Sequence, residues 1–130
     1  MAKLILPCAG RSSRFPNSRP KWSLTHPNGN LMLIEGIQGL DLNKYEEIIA
    51  IFFKEDLEKY GLKKGLVKAF KQLNHKYKIV ELNKVTSSQS ETVAKAIKKA
   101  KITGSILIKD SDGYFEGKFR DDNYVYVCEL

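Results

Sequence analysis

Residues 2–21 read AKLILPCAGRSSRFPNSRPK, and this stretch indicates the fold more clearly than any other. Its first six residues, AKLILP, are almost wholly apolar, which is typical of a strand buried on both faces of a parallel sheet. The following residues 8–30 are polar and contain three prolines and two glycines, a composition that excludes a long helix. We therefore predict a buried first strand that leads directly into a long polar loop.

Strand and helix patterns alternate along the rest of the chain. Short apolar runs predict further buried strands, and apolar residues three and four positions apart predict helices between them. This order is typical of an α/β domain with right-handed crossovers, in which helices cover both faces of a mainly parallel sheet in three α/β/α layers. The predicted strands are 2–7, 47–53, 77–82, 105–109 and 123–130, and the predicted helices are 31–40, 55–60, 64–74 and 87–100.

Length and composition limit the classes of protein that fit. The chain has 130 residues, of which 42% are hydrophobic, enough for one core but not for two. No run of about 18 uncharged apolar residues is present, so we expect a soluble cytoplasmic protein with no membrane partner. Cys8 and Cys128 form no CxxC pair, which argues against a metal site or a disulfide framework. The net charge of +7 fits an anionic binding partner, which could be a nucleotide, a nucleic acid or an acidic surface. Most lysines in 54–78 and 95–101 are explained by solvated helix faces.

The loop after the first strand has the composition of a triphosphate site. A triphosphate carries about four negative charges, so its site needs backbone N–H groups and fixed cations. Small residues around Gly10 allow close backbone approach, and Arg14 and Lys21 supply charge. The loop is neither a Walker A loop nor a GxGxxG dinucleotide fingerprint, because the required glycine and GK[ST] spacings are absent.

The order of residues in this loop is more specific than its composition. A strand followed by Ala9-Gly10-Arg11-Ser12-Ser13-Arg14, and then by Pro20-Lys21, resembles the signature of the sugar-nucleotide pyrophosphorylases and related cytidylyltransferases. The resemblance implies their Rossmann-like nucleotide-diphospho-sugar transferase fold and a turn that wraps the base and the phosphates. It also implies that Arg14 neutralises the β- and γ-phosphates and that Lys21 contacts the phosphate that is attacked. Ser12 departs from the glycine that is usual at this position in that family. The implied nucleotide-binding residues of the turn are Ala9, Gly10, Ser12 and Ser13.

A second group of polar residues follows the predicted strand 105–109. Asp110 and Asp112 are two residues apart at the strand end and can face the same side, which suits an oxygen-liganded Mg²⁺. The same Asp-Ser-Asp-Gly sequence is also ordinary turn chemistry. The family resemblance favours Asp112 as the metal ligand, with Asp110 supporting it directly or through water.

The third group lies at the start of the predicted helix 87–100. Ser88 and Glu91 have the spacing of a capping box, which explains both residues without a ligand. A helix N-terminus also favours anions and acceptor groups. The resemblance makes Gln89 and Thr92 candidates for contacts with the nucleobase.

Together these features imply a magnesium-dependent nucleotidyltransferase by resemblance. The partners implied are a nucleoside triphosphate and a sugar 1-phosphate or similar phosphorylated small molecule, with release of pyrophosphate and no role for nucleic acid. Members of that family resemble one another over about twice this length, so we expect residues 1–130 to be the nucleotide-binding half of a truncated domain. A catalytically inactive nucleotide-binding or regulatory domain and a basic nucleic-acid-binding module remain as alternatives.

Overall fold

The computed structural model describes residues 2–9, 23, 31–37, 40–84 and 89–109. Within these ranges strands and helices alternate as the sequence predicts, and a short 3-10 turn, Leu42–Lys44, precedes the second strand. The predicted strand 123–130 lies outside the described residues. The strands are β1 (Ala2–Cys8), β2 (Tyr45–Phe53), β3 (Tyr77–Leu82) and β4 (Ile106–Ile108), and the helices are α1 (Met32–Gly36), α2 (Lys54–Lys59), α3 (Lys63–Gln72) and α4 (Gln89–Ala100).

The four strands form one parallel sheet in the order β3-β2-β1-β4, which confirms the predicted α/β class. Ile5 in the middle of β1 pairs with Ile49 of β2 on one side and with Ile108 of β4 on the other. The chain moves outward from β1 through β2 to β3, and then returns past β1 to place β4 on its far side. The direction in which strands are added therefore reverses between β1 and β4.

Helices cover both faces of this sheet, so the three-layer prediction is confirmed as well. The alternation of β1 sends Leu4 and Leu6 to one face and Ile5 to the other. The first face packs against α1, α2 and α3 through buried residues that include Leu33, Leu57, Leu66 and Phe70. The second face packs against α4 through Val93 and Ala96.

The boundaries of most elements differ by a few residues from their predictions, and β2, for example, begins at Tyr45 rather than at residue 47. Strand β1 continues through Cys8, one residue beyond the predicted end, and β4 is shorter than the predicted 105–109. Helix α1 ends at Gly36, because Gly36 and Gly39 lower the helix propensity of the segment 31–40. Its predicted inward-facing residues, Leu33, Ile37 and Leu40, are all buried.

The lysines of the described helices lie on outward faces, as predicted. Lys64, Lys68 and Lys71 of α3 are exposed, whereas Leu66 and Phe70 of the same helix are buried. Ion pairs such as Lys54 with Glu58, 3.9 Å apart, also lie at the surface and contribute little to stability. Across the described ranges, no helix combines the length and the apolarity that a membrane crossing requires.

Candidate functional site

The carboxyl ends of β1 and β4 lie side by side where the strand order reverses. Open α/β sheets bind ligands in the crevice at this kind of position. The backbone N–H of Lys109 donates to the carbonyl oxygen of Ile5 at 3.0 Å, which extends the β1–β4 pairing by one residue beyond β4. Strand β1 continues to Cys8, which pairs with Phe52 of β2. The two chain segments that carry the predicted loops thus leave the sheet from neighbouring strands.

Ala9 anchors the start of the first loop. Its side chain is fully buried in the cluster beneath α4, together with Ile5 and Val93. The preceding Cys8 has a buried thiol whose Sγ donates to the carbonyl oxygen of Leu6 at 3.6 Å. Because the side chain of Ala9 faces the core, the group that it can offer to a ligand is its backbone.

The N-terminus of α4 lies on the same edge of the sheet, because the helix follows the carboxyl end of β3 and packs across β1, β2 and β3. Gln89 is its first residue. Thr92, one turn further on, is only 1% exposed, so its hydroxyl faces the interior rather than open solvent. Glu91 lies 3.0 Å from the ammonium of Lys95 in an i,i+4 ion pair. The capping-box partner Ser88 lies outside the described residues.

Lys109 also lies at this edge of the sheet, although the sequence patterns indicate only the last residue of an apolar strand there. It is only 8% exposed, whereas Ile108 immediately before it is 44% exposed. The available signal was a lysine that ends an apolar run and directly precedes the Asp110-Ser111-Asp112 sequence. Ser23, in the polar segment after β1, is fully buried as well.

Several predicted site residues lie outside the part of the chain that the structure describes, so their roles remain predictions. Within the described ranges, no three His, Cys, Asp or Glu residues gather into a group able to hold a metal ion. The donor chemistry of the predicted metal loop, two carboxylates at a strand end, is nevertheless the chemistry that Mg²⁺ prefers. The predicted site residues that are not described are Gly10, Ser12, Ser13, Arg14, Lys21, Asp110 and Asp112, together with the side chain of Gln89.

A shallow depression of about 490 Å³ lies elsewhere, on the outer surface of α3. Lys64, Val67 and Lys68 are among its lining residues, and it includes none of Ala9, Thr92 and Lys109. Its open shape and lysine lining are what a solvated helix face presents. We therefore place the candidate site at the carboxyl edge of the sheet and not on α3.

Comparison with known proteins supports the architecture. No protein family model matches the sequence, and no curated protein matches it. A solved structure, that of the nucleoside-diphosphate-sugar pyrophosphorylase from Vibrio cholerae RC9, is similar with a TM-score of 0.68 and 22% sequence identity. The superposition covers 91% of this chain and 51% of that one, so the chain spans about half the length of that pyrophosphorylase. The chain therefore shares its α/β fold with about half of a nucleoside-diphosphate-sugar pyrophosphorylase.

Proposed function

We propose that this chain is the nucleotide-binding half of a magnesium-dependent nucleotidyltransferase. The reaction transfers a nucleoside monophosphate from a nucleoside triphosphate to a sugar 1-phosphate, or to a similar phosphorylated small molecule, and releases pyrophosphate. The observation that carries the proposal is the reversal of strand order between β1 and β4. It brings Ala9 and Lys109, which directly precede the predicted loops 10–21 and 110–112, to the ends of neighbouring strands in a sheet whose fold is shared with a pyrophosphorylase.

The residues of the first loop bind and orient the triphosphate in this proposal. The backbone from Ala9 onward approaches the base and phosphates, while Arg14 offers a forked contact to the β- and γ-phosphates. Lys21 places a point charge beside the α-phosphate. Negative charge accumulates on these oxygens in the transition state, so the two cations stabilise it more strongly than they stabilise the bound substrate.

Transfer needs little proton chemistry from the protein. A phosphate oxygen of the acceptor attacks the α-phosphorus in line, the bond to the β-phosphate oxygen breaks, and pyrophosphate leaves. The attacking phosphate is already ionised, so no general base has to remove a proton from it. Catalysis in this scheme consists of positioning and charge neutralisation.

The carboxylates after β4 hold the metal in this proposal. Asp112, supported by Asp110, is the pair of residues that would bind Mg²⁺. The ion supplies Lewis-acid stabilisation of phosphate oxygens when it is bound. Gln89 and Thr92, at the start of α4, are the proposed contacts of the nucleobase.

One observation favours a second function. The similarity to the pyrophosphorylase covers only 51% of that protein, and a chain with half of the fold could bind a nucleotide without transferring it. Such a domain would bind a nucleoside triphosphate and Mg²⁺ but would release no pyrophosphate when an acceptor is added. The two functions therefore differ in turnover and not in binding.

A thermal-shift panel tests the binding that both functions require. ATP, CTP, GTP, UTP and dTTP are each added with Mg²⁺, and a ligand at about 100 times its dissociation constant should stabilise the chain by about 2.7 kcal/mol. We expect one of the five to raise the unfolding temperature of the parent chain but not that of Arg14→Ala or Asp112→Ala. Matched controls are Lys98→Ala and Glu55→Ala, which remove one charge of each sign from exposed helix positions and should respond as the parent does.

Pyrophosphate release then separates the enzyme from the binding domain. The nucleotide that binds is incubated with Mg²⁺ and a set of sugar 1-phosphates, and pyrophosphate is measured. Release that depends on both Arg14 and Lys21 supports the transferase. If none of the five nucleotides stabilises the parent chain, the nucleotide site itself is wrong.

A further inference from the structure

We propose that Lys109 is a further cation of the nucleotide site and contacts the phosphate groups of the bound nucleoside triphosphate. The inference rests on the proposed function, and it adds a residue that the loop and metal motifs do not contain. It is based on the position, the burial and the charge of this side chain.

The position of Lys109 is fixed by the sheet. Its backbone N–H donates to the carbonyl oxygen of Ile5 at 3.0 Å, so the residue still belongs to the β1–β4 ladder although β4 ends at Ile108. This places Lys109 at the carboxyl edge, beside β1 and at the reversal of strand order where such sheets bind their ligands. The next residue in the chain is Asp110, the first residue of the proposed metal loop.

The burial of Lys109 sets it apart from the lysines of the helices. It is 8% exposed, whereas Lys54 and Lys63, which form surface ion pairs, belong to the exposed residues. A lysine is rarely buried to this degree unless opposite charge lies close by, because removing an ammonium from water is costly. The charge nearest in sequence is that of Asp110 and Asp112.

The charges of the proposed site favour a further cation. A bound triphosphate brings about four negative charges to the edge that already carries two carboxylates. Mg²⁺ offsets only part of this charge, and Arg14 and Lys21 both approach from the loop after β1. Lys109 supplies a cation from the β4 side, held by a rigid strand, which is the more precise support for a ligand contact.

The test replaces Lys109 with residues that keep its size but change its charge. Lys109→Met removes the charge, Lys109→Arg keeps it, and Lys98→Met makes the same change at an exposed position of α4 as a matched control. Binding of MgATP, MgCTP, MgGTP, MgUTP and Mg-dTTP is measured by titration calorimetry, and the unfolding temperature is measured without ligand. Removing one partner of a buried ion pair is destabilising, so the unfolding temperature is needed to separate a loss of folding from a loss of binding.

We expect Lys109→Met to weaken binding of the preferred nucleotide at least tenfold while the ligand-free protein stays folded. Lys109→Arg should recover part of the affinity, and Lys98→Met should match the parent. If Lys109→Met does not fold, Lys109→Gln and Lys109→Arg are compared in the same way, and only the charged variant should bind well.

Two different results would overturn the inference, and they can be told apart from failure of the proposed function. If the parent binds a nucleotide and Lys109→Met binds it equally well, Lys109 is not part of the site but the proposed function stands. If both substitutions lower stability and neither changes affinity, the role of Lys109 is structural. If the parent binds none of the five nucleotides, the proposed function and the inference both fail.

Discussion

The packing of α4 on the sheet can be tested by one substitution made at two positions of the same helix. Ala96 is fully buried against the sheet, while Ala94, two residues earlier in α4, is exposed. Valine at either position has the same helix-propensity cost of about 0.5 kcal/mol. Only Ala96→Val also forces two extra methyl groups into the cluster that contains Ile5 and Val93.

The expected difference between the two variants follows from packing. Overfilling a well-packed core costs about 1–3 kcal/mol, and the propensity cost cancels when the variants are compared. For a chain of 130 residues, an unfolding entropy of about 2.1 cal/mol/K per residue turns that cost into a fall of about 4–11 °C in unfolding temperature.

Urea unfolding followed by circular dichroism measures this difference directly. We expect Ala96→Val to have the lower midpoint and Ala94→Val to remain close to the parent. Equal midpoints for the two variants would refute the placement of α4. They would also remove the reason for placing Gln89 and Thr92 at the carboxyl edge of the sheet.

Further predictions concern three other residues. Phe70 is fully buried, with its ring stacked on Tyr77 at 5.3 Å between centroids, so Phe70→Ala should cost about 3–5 kcal/mol of unfolding free energy; a cost below about 1 kcal/mol would contradict this packing. The Nε2 atom of His75 is buried without a hydrogen-bond partner among the described residues, so His75→Phe should raise stability by about 1 kcal/mol, and a clear loss would show that this atom is satisfied in solution. The hydroxyl of Thr92 is buried at the start of α4, so Thr92→Val should cost about 1 kcal/mol in urea unfolding; an unchanged midpoint would mean that the hydroxyl makes no stabilising hydrogen bond.

Much of the fold could be predicted from the sequence because its elements have strong local patterns. The run AKLILP is apolar on both faces, and β1 is indeed covered by α1, α2 and α3 on one side and by α4 on the other. The helix periodicity of α3 correctly separated buried Leu66 and Phe70 from exposed lysines. Local patterns of this kind determine which residues face the core and, through the βαβ order, the parallel arrangement of the strands.

Features that depend on tertiary contacts could not be predicted. The two glycines of the segment 31–40 predict a weak helix but do not mark the residue at which it ends, and the burial of Ile37 and Leu40 beyond that end is a tertiary feature. The burial of Lys109 depends on its pairing with β1, since a single lysine at a strand end has no periodicity to interpret. For the site, the motifs of the sequence predict the two loops, and the structure adds that the residues preceding them, Ala9 and Lys109, directly follow neighbouring strands.

The central claim is that the ligand binds at the carboxyl edge between β1 and β4. Backbone amide signals of the ¹⁵N-labelled chain, recorded by NMR while the preferred nucleotide and Mg²⁺ are added, test this location residue by residue. The account predicts that Ala9, Thr92 and Lys109 shift strongly while the amino-edge residues 73–77 do not. Shifts concentrated on residues 64–72 of α3, with Ala9 and Lys109 unchanged, would contradict it.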